Sequence, residues 1–307
     1  MNLYPLKLSR ITIPKIWGEE IWHMVQMGDR LSVVENGYLA ENDLTDLLEV
    51  YMGELVGDHV YERFGNYFPL LLKIINTTDD LSIQVHPDNE VALQNHQCYG
   101  KSEMWYVLDA KLDTTLISGF NQDTDADSVR TALAEGNLLN YLNVVRVQHG
   151  DVVALPHGRV HALRKNISVA EIQQNSDITY RLFDYNRKPT NGIVRPLHVE
   201  EALQVLDFKC LQEPVSKPQI VDNGAVNIAS NEYFVSNLLS FNREIGRDYA
   251  PLDSFVAYMC VEGGADVSAE GETVVLETGD TVLIPASLDE VMLKPHGSAK
   301  LLEVYVP

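Results

Sequence analysis

The residues of this chain that are best suited to chemistry are amides, histidines and carboxylates at the spacing of a β-strand. In LSIQVHPDNE, Gln84 and His86 are two residues apart, and alternate side chains of a strand point to the same face. In GKSEMWYVL, the same alternation puts Lys101, Glu103 and Trp105 on one face. Both stretches therefore predict a strand that turns polar groups to one side.

A third stretch, GDVVALPHGRVHAL, supplies His161 at the start of a later predicted strand. If the strands close into a barrel, four potential ligands converge: Gln84, His86, Glu103 and His161. This set has one amide oxygen, one carboxylate and two imidazoles, with no thiolate, which suits zinc. Manganese, iron and cobalt also fit. His157, four residues before His161, is left outside the set.

Most of the chain reads as short strands, which must position these residues. Stretches rich in β-branched and aromatic residues alternate with Gly, Asp, Asn and Pro signals. Helical spacing of apolar residues interrupts them at about 41–64 and 125–142, and again at 199–206. We predict an all-β chain with two jelly-roll barrels, the first enlarged by helical segments.

The stretch GDTVLIPASLDEVML, residues 279–293, repeats the frame of residues 150–163 without its histidines. Ala286 stands where His157 would be, and Glu290 stands where His161 would be. A loop-like stretch around 213–226 separates the two copies. We therefore predict a catalytic domain at 1–225 and a C-terminal barrel without metal at 226–307.

Composition limits the possible partners. The chain has 307 residues and a net charge of -21, which repels a nucleic-acid backbone. No apolar run is long enough for a membrane span or a signal peptide, so we expect a cytoplasmic protein with no membrane partner. The three cysteines have no paired spacing, which argues against disulfides. An anionic substrate would need local positive charge.

Four motifs together resemble the type I mannose-6-phosphate isomerases, specifically their short bacterial branch: SIQVHPDNE, GKSEMWY, LPHGRVHAL and EIQQNSDITYRLFDYNR. The similarity runs from KIWGEE at residue 15 to RPLHVEEAL at residue 203, and more loosely through the C-terminal barrel. Those enzymes are zinc-dependent members of the cupin superfamily. The resemblance therefore implies two cupin-type jelly rolls and one zinc ion per chain.

The resemblance also implies roles for individual residues. The family's zinc ligands correspond to Gln84, His86, Glu103 and His161. Its active-site arginine corresponds to Arg181, a pocket lysine to Lys101, and an aspartate considered for proton transfer to Asp177. Lys101 and Arg181 are the expected substrate contacts. A histidine that precedes this lysine in the longer branch is replaced here by Gly100.

The expected reaction interconverts mannose 6-phosphate and fructose 6-phosphate by proton transfer between C1 and C2, through an enediol or enediolate. The general base is left open between Asp177, Lys101, His157 and a metal-bound water. Alternatives are a cupin with redox oxygen chemistry, a metal-dependent cupin acting on another sugar phosphate, and a non-catalytic sugar-phosphate-binding cupin. The expected partner is a small sugar phosphate, and the expected state is a monomer or a weak homodimer.

Overall fold

A computed structural model describes residues 3–187 and 194–307. Strands hold 44% of the residues and helices 17%, so the predicted all-β class is confirmed. Through the first half of the chain the strands are β1 (Leu6–Lys7), β2 (Ile11–Lys15), β3 (Gly18–His23), β4 (Gln26–Met27), β5 (Arg30–Leu31), β6 (Leu70–Thr77), β7 (Ile83–Val85), β8 (Glu103–Ala110), β9 (Thr115–Phe120), β10 (Leu142–Arg146) and β11 (Val152–Leu155).

The strands that follow are β12 (His161–Leu163), β13 (Ile167–Gln174), β14 (Tyr180–Phe183), β15 (Gly224–Ser230), β16 (Val235–Phe241), β17 (Ile245–Asp248), β18 (Val256–Ala269), β19 (Glu272–Glu277), β20 (Thr281–Ile284) and β21 (Glu290–Tyr305). The α-helices are α1 (Leu44–Val56), α2 (Asp58–Phe64), α3 (Asn89–His96), α4 (Ala126–Glu135) and α5 (Val199–Val205). Short 3₁₀ turns cover Gly37–Leu39 and Leu138–Tyr141.

The helical range predicted at 41–64 contains α1 and α2. Asp43 caps α1, because its side chain accepts hydrogen bonds from the N–H groups of Thr45 and Asp46. The Asp46 side chain accepts from the N–H of Asp43 in return, which completes a capping box. Gly57, at φ +94°, separates the two helices in a conformation that glycine adopts easily.

The range predicted at 125–142 contains α4, which ends before the predicted limit. Gly136 adopts a left-handed conformation at φ +72° and stops the helix. Residues 138–141 then form a 3₁₀ turn that leads into β10. The sequence interpretation also missed α3, which begins directly after Asp88. The side chain of Asp88 caps this helix by accepting a hydrogen bond from Val91 N at 2.8 Å.

The described residues pack as two compact units. The first unit comprises Ile13–Glu20 and Ile74–Lys217, and the second comprises Met1–Thr12, Ile21–Lys73 and Pro218–Pro307. Helix α1 therefore packs in the second unit, where its carbonyls accept hydrogen bonds from strand ends near residues 255 and 286. The predicted division assigns catalysis to residues 1–225 and a metal-free barrel to residues 226–307. This assignment stays a prediction.

The first unit contains a jelly-roll barrel made of two sheets. Their strand orders are β10-β9-β12-β7-β14 and β11-β8-β13-β6-β3-β2. Side chains of both sheets meet in one core, with Val107 and Val169 from the six-stranded sheet and Leu116 and Leu163 from the five-stranded sheet. Alternate residues of both sheets therefore line the interior.

Helices α4 and α5 cover the outer face of the five-stranded sheet. Ile83 and Val85 of β7 pack in one cluster with Val129 of α4 and Ala202 of α5. Because Ile83 and Val85 point outwards, Gln84 between them points into the barrel. The helices thus fix which side of β7 carries the polar group.

The second unit contains a sheet with the main order β1-β20-β18-β21-β16-β15, to which β17 and β19 add at β21 and β18. The long strands β18 and β21 pair along most of their length, with register shifts between Cys260 and Glu262 and between Gly263 and Ala265. Such shifts bend paired strands. The curved sheet encloses a core that includes Tyr258.

The two barrels use the same Gly-Asp turn. Gly150 has φ +86° and Gly279 has φ +90°, which favours glycine at both positions. Their N–H groups donate to Val107 O at 2.9 Å and Cys260 O at 2.8 Å. The aspartate after each glycine accepts from the N–H three residues before it, at 2.9 and 3.2 Å. In the second copy, Glu290 is exposed to solvent.

An ionic cluster is buried inside the second barrel. Glu303 is 0% exposed, and Arg247 donates two hydrogen bonds to its carboxylate at 2.9 and 3.0 Å. Asn237 donates to the same carboxylate at 2.8 Å. The hydroxyl of Tyr249 bonds to both Glu303 and Tyr258, and burial raises the pKa of both tyrosines. The cluster neutralises a carboxylate inside an apolar core.

We expect Glu303→Gln to lower the free energy of unfolding by about 2 kcal/mol, because it removes the charge of a fully buried acceptor that the half-buried Arg247 guanidinium binds with two hydrogen bonds. Urea denaturation of the whole chain measures the change. The double variant Glu303→Leu with Arg247→Leu removes both charges and should recover much of the loss. A Glu303→Gln variant as stable as the parent would contradict this account.

No helix in the described parts of the chain has the length and apolar character needed to cross a membrane. Cys98, Cys210 and Cys260 are free thiols, in agreement with the predicted lack of a disulfide framework.

Candidate metal centre

Three of the predicted ligands converge inside the first barrel: His86, Glu103 and His161. Their ligand atoms lie within 4.8 Å of one another, and each residue is at most 2% exposed. Nε2 of His86 is 3.6 Å from Glu103 Oε2, and Nε2 of His161 is 3.3 Å from Glu103 Oε1. Within residues 3–187 and 194–307, this is the one group of three such side chains placed to hold a metal ion.

Backbone carbonyls orient both imidazoles. Nδ1 of His86 lies 2.8 Å from the carbonyl oxygen of Ile178, and Nδ1 of His161 lies 2.8 Å from that of Arg159. A carbonyl only accepts, so each Nδ1 carries a hydrogen, and in a neutral ring the lone pair is then on Nε2. Burial lowers the pKa of His161 to about 4, which keeps this ring neutral at neutral pH.

The donor set fits a bound divalent cation. The Nε2 lone pair of His161 faces a carboxylate oxygen of Glu103 at 3.3 Å, and two electron-pair donors at that distance repel each other. A cation between them would turn the repulsion into coordination. Imidazoles that donate their other N–H to a carbonyl are also the usual arrangement around protein-bound zinc. The residues at this site therefore fit the zinc ion that the family resemblance implies.

Gln84, the fourth predicted ligand, lies beside this group. Its carboxamide nitrogen is 3.3 Å from Nε2 of His161, and Ser82 donates to its oxygen at 3.3 Å. Rotation of the carboxamide about its last bond exchanges the two ends, and a cation would favour the oxygen. The register of β7 and β12 pairs Gln84 directly with His161.

Lys101 places a cation against the centre. The residue is 5% exposed, and its Nζ is 2.8 Å from Glu103 Oε2. Burial alone lowers the pKa of Lys101, but the charges of Glu103 and Glu171 outweigh burial, so the pKa is raised. Lys101 is therefore an ammonium group in contact with a predicted metal ligand.

The loop that carries Lys101 is held from two sides. Asn89 Oδ1 accepts hydrogen bonds from Gly100 N at 2.9 Å and from Gln174 Nε2 at 3.0 Å. Gln174 in turn accepts from Ser102 N at 2.9 Å through its side chain and donates to Ser102 O at 3.1 Å through its backbone. Helix α3, which the sequence interpretation missed, thus helps to fix Lys101 through Asn89.

Gly100 is required by close backbone contact. A Cβ at this position would lie 2.3 Å from the carbonyl carbon of Asp88 and 2.6 Å from the nitrogen of Asn89. A side chain there would displace the start of α3. The histidine found at this position in the longer branch therefore has no room in this chain.

Arg181 lies next to Gln84, to which it is paired in the ladder between β14 and β7. Paired residues present their side chains on the same face, so Arg181 starts from the interior side of the sheet. One guanidinium nitrogen donates to Pro196 O at 2.9 Å. Burial, with the nearby charge of Arg195, lowers the pKa of Arg181, but an arginine stays charged in proteins.

Asp177 and His157 differ from the other candidates because both are exposed. Asp177 directly precedes Ile178, whose carbonyl orients His86. The backbone N–H of His157 donates to Ser102 Oγ at 3.2 Å, which ties its turn to the Lys101 loop. Neither side chain belongs to the buried group of three.

Sequence reasoning did not single out Glu171, which also lies in the barrel interior. Its Oε1 accepts a hydrogen bond from Trp105 Nε1 at 2.9 Å, and Glu171 is paired with Trp105 across β8 and β13. Its charge also helps to raise the pKa of Lys101. The signal was present in the alternation of β13, since Glu171 and Gln173 share a face and Gln173 is paired with Glu103.

Comparison with known proteins is consistent with this geometry. Residues 14–111 match the family model for the catalytic domain of type I phosphomannose isomerase. Residues 229–306 match the model for the cupin domain of mannose-6-phosphate isomerase. Mannose-6-phosphate isomerase ManA of Bacillus subtilis is 32% identical over 291 residues, which cover 93% of this chain and 89% of the relative.

Further relatives agree in sequence and in fold. Mannose-6-phosphate isomerase of Streptococcus mutans is 38% identical over 202 residues, which cover 63% of this chain and 60% of the relative. The crystal structure of the mannose 6-phosphate isomerase from Bacillus subtilis superposes with a TM-score of 0.82 at 27% identity, covering 98% of this chain and 99% of that one. The identity to ManA over nearly the whole length, together with both domain models, shows that this chain belongs to the type I mannose-6-phosphate isomerases.

Proposed function

We propose that this enzyme interconverts mannose 6-phosphate and fructose 6-phosphate with one zinc ion per chain, by proton transfer between C1 and C2 through an enediol or enediolate. The observation that supports the proposal most directly is the buried group of His86, Glu103 and His161, with both imidazoles oriented by carbonyls. We propose Gln84 as the fourth ligand. Family membership supports the reaction class and the dependence on a metal.

The proposed zinc would supply a Lewis acid, which stabilises negative charge on the sugar oxygens without redox chemistry. The protein residues would hold the zinc ion at a fixed position. His86 and His161 present ring nitrogens in a buried site, and the lowered pKa of His161 keeps that ring neutral. Glu103 contributes a negative charge that Lys101 partly balances. The Nδ1 hydrogen bonds keep the two rings from rotating away. The interior is thus ordered before a substrate arrives.

The substrate is a phosphate dianion, and the chain is strongly acidic. Binding therefore needs positive charge near the centre, and Lys101 and Arg181 supply it in this proposal. The place of Arg181 beside Gln84 in the ladder suits a contact with the sugar or with the charge that develops during proton transfer. Lys101 holds a proton 2.8 Å from a predicted ligand and suits a contact with a sugar hydroxyl.

We propose Asp177 as a participant in proton transfer. The resemblance to the family supports this role, and the backbone of Asp177 adjoins the carbonyl that orients His86. A cytoplasmic location and a monomeric or weakly dimeric state stay predictions from the sequence.

A coupled assay on mannose 6-phosphate tests the whole proposal. We expect fructose 6-phosphate to form with the enzyme as purified, and turnover to fall to the background rate after treatment with a chelator, because the bound cation would supply the Lewis acid that stabilises negative charge on the substrate. Readdition of zinc should restore the rate, and elemental analysis should find about one zinc per chain.

The same assay identifies the alternatives. Full turnover after complete removal of metal would contradict a metal-dependent isomerase. Iron-loaded, coloured protein that consumes oxygen would indicate the redox chemistry of other cupins. Tight binding of mannose 6-phosphate with no product would indicate a binding protein without turnover.

A further inference from the structure

The edge of β14 next to the metal centre is completed by a single histidine. β14 is the last strand of its sheet in the order β10-β9-β12-β7-β14. The backbone N–H of Arg181 donates to Nδ1 of His198 at 3.1 Å, and the backbone N–H of His198 donates to Arg181 O at 2.8 Å. His198 therefore binds both backbone polar groups of Arg181, as a neighbouring strand would.

These two hydrogen bonds define how Arg181 meets Gln84. Since both backbone groups of Arg181 are directed to His198, they point away from β7. The pair of Arg181 and Gln84 is then of the non-hydrogen-bonded type, in which the two Cα atoms are about 4.5 Å apart and the side chains are closer than in the other type. His198 thus holds the Arg181 backbone on the side of β14 opposite β7, while the ladder places the side chain of Arg181 close to that of Gln84.

The arrangement depends on the protonation of His198. Nδ1 accepts the N–H of Arg181 only while it holds a lone pair, so the hydrogen of a neutral ring must be on Nε2. Protonation would place a hydrogen on Nδ1, directly opposite the N–H of Arg181. The contact would then be repulsive.

We infer that His198 is a positioning residue for the isomerase reaction, which holds the Arg181 backbone at the edge of β14 and so directs its guanidinium to the substrate. The inference rests on the proposed role of Arg181. It goes beyond the ligand set and beyond the substrate contacts, because His198 acts only through the backbone of another residue.

The groups that face His198 come from three elements. They are Arg181 and Tyr180 of β14, Glu201 of α5, and His96 of α3, which contacts Tyr180. Burial, together with the charges of Arg181 and His96, lowers the pKa of His198 from its usual 6.5, while Glu201 opposes the shift. The neutral ring is therefore favoured at neutral pH. The hydrogen bond that neutral His198 accepts from Arg181 is fully present above pH 6.5. It is lost as the pH falls through the lowered pKa of His198 in the folded protein.

Two substitutions separate the acceptor from the imidazole. His198→Ala removes the acceptor and should lower kcat/KM about tenfold, with the fall mainly in kcat and with unchanged metal content. His198→Asn places an amide oxygen close to the position of Nδ1 and should retain kcat/KM within about twofold. The asparagine side chain cannot take up a proton in the pH range in which histidine does. The parent should therefore lose activity on the acid side, and the asparagine variant should lack that part of the loss.

A double-mutant cycle tests whether His198 acts through Arg181. In an Arg181→Ala background, His198→Ala should have no further effect on kcat/KM, because the group that it positions is gone. A further tenfold loss in that background would overturn the inference. Parent-like kinetics of His198→Ala would overturn it as well. If the alanine variant fails to fold, the pH profile of His198→Asn decides, and a profile identical to that of the parent would count against the inference.

The failure of this inference differs from the failure of the proposed function. If Arg181→Ala leaves turnover unchanged, the role of the arginine is wrong, and the positioning role falls with it. If Arg181→Ala loses turnover but neither His198 variant changes kcat/KM or its pH dependence, the arginine role stands and the positioning role alone is wrong.

Discussion

His161→Ala should release the metal and reduce turnover to the background rate. The substitution removes one of the two imidazoles proposed as ligands and leaves a cavity beside Trp105, whose ring packs against His161 in a T-shaped arrangement. Loss of a hydrogen-bonding partner of a ligand already weakens metal binding by about 10–100-fold, so loss of the ligand itself should exceed about 100-fold. Elemental analysis and the coupled assay on mannose 6-phosphate measure the two effects.

A matched histidine provides the control. His149 also directs Nδ1 to a backbone carbonyl, that of Leu108, at 2.8 Å, but the residue is exposed and outside the group of three. His149→Ala should keep the parent's metal content and turnover. If His161→Ala still binds one zinc per chain, the proposed ligand set is incorrect. Thermal unfolding of both variants distinguishes loss of metal from loss of the fold.

Arg181→Ala should lower kcat by about 10²–10³-fold, the usual effect of removing one donor from a site that stabilises developing charge. Metal content should not change, because Arg181 is not a ligand in this proposal. Steady-state kinetics on both substrates, with elemental analysis of the same preparation, measures this outcome.

The control for Arg181 is Arg130→Ala. Arg130 pairs with Glu200 and Asp127 on the surface, at 2.9 and 2.6 Å, and surface pairs contribute little to stability. Its removal should leave kcat within about twofold of the parent. A rise in KM with unchanged kcat in Arg181→Ala would assign Arg181 to ground-state binding of the phosphate and would contradict the charge-stabilising role.

The centre was predictable because it depends on strand alternation. Gln84 lies between two outward apolar residues, Glu103 starts β8, and His161 starts β12, so the period of two residues was enough to turn them inward. The order of the motifs then identified the family. Glu171 follows the same rule on β13, but no histidine or cysteine lies two residues from it in ISVAEIQQ, so the local pattern does not mark it as part of a site.

Other features depend on contacts that no local pattern contains. Helix α3 buries only Ala92 among its residues, so it lacks the apolar stripe by which helices are recognised in a sequence. The bonds between Arg181 and His198 join residues 17 positions apart. The packing of α1 with strands near residues 255 and 286 is longer in range still. Contacts between residues so far apart in the sequence can be identified only from the folded structure.

The ionic cluster of the second barrel shows that a carboxylate buried in such an interior is paired with a positive charge. Glu303 is paired with Tyr258 in its ladder and Glu171 with Trp105 in its own, so each barrel buries a carboxylate opposite an aromatic residue. Each interior needs a counter-charge, and one barrel supplies a permanent guanidinium while the other keeps a lysine and an ordered set of electron-pair donors. A barrel whose buried carboxylate is paired with an arginine keeps its charge balance under all conditions. A barrel that completes its charge balance with an exchangeable ion would depend on the concentration of that ion.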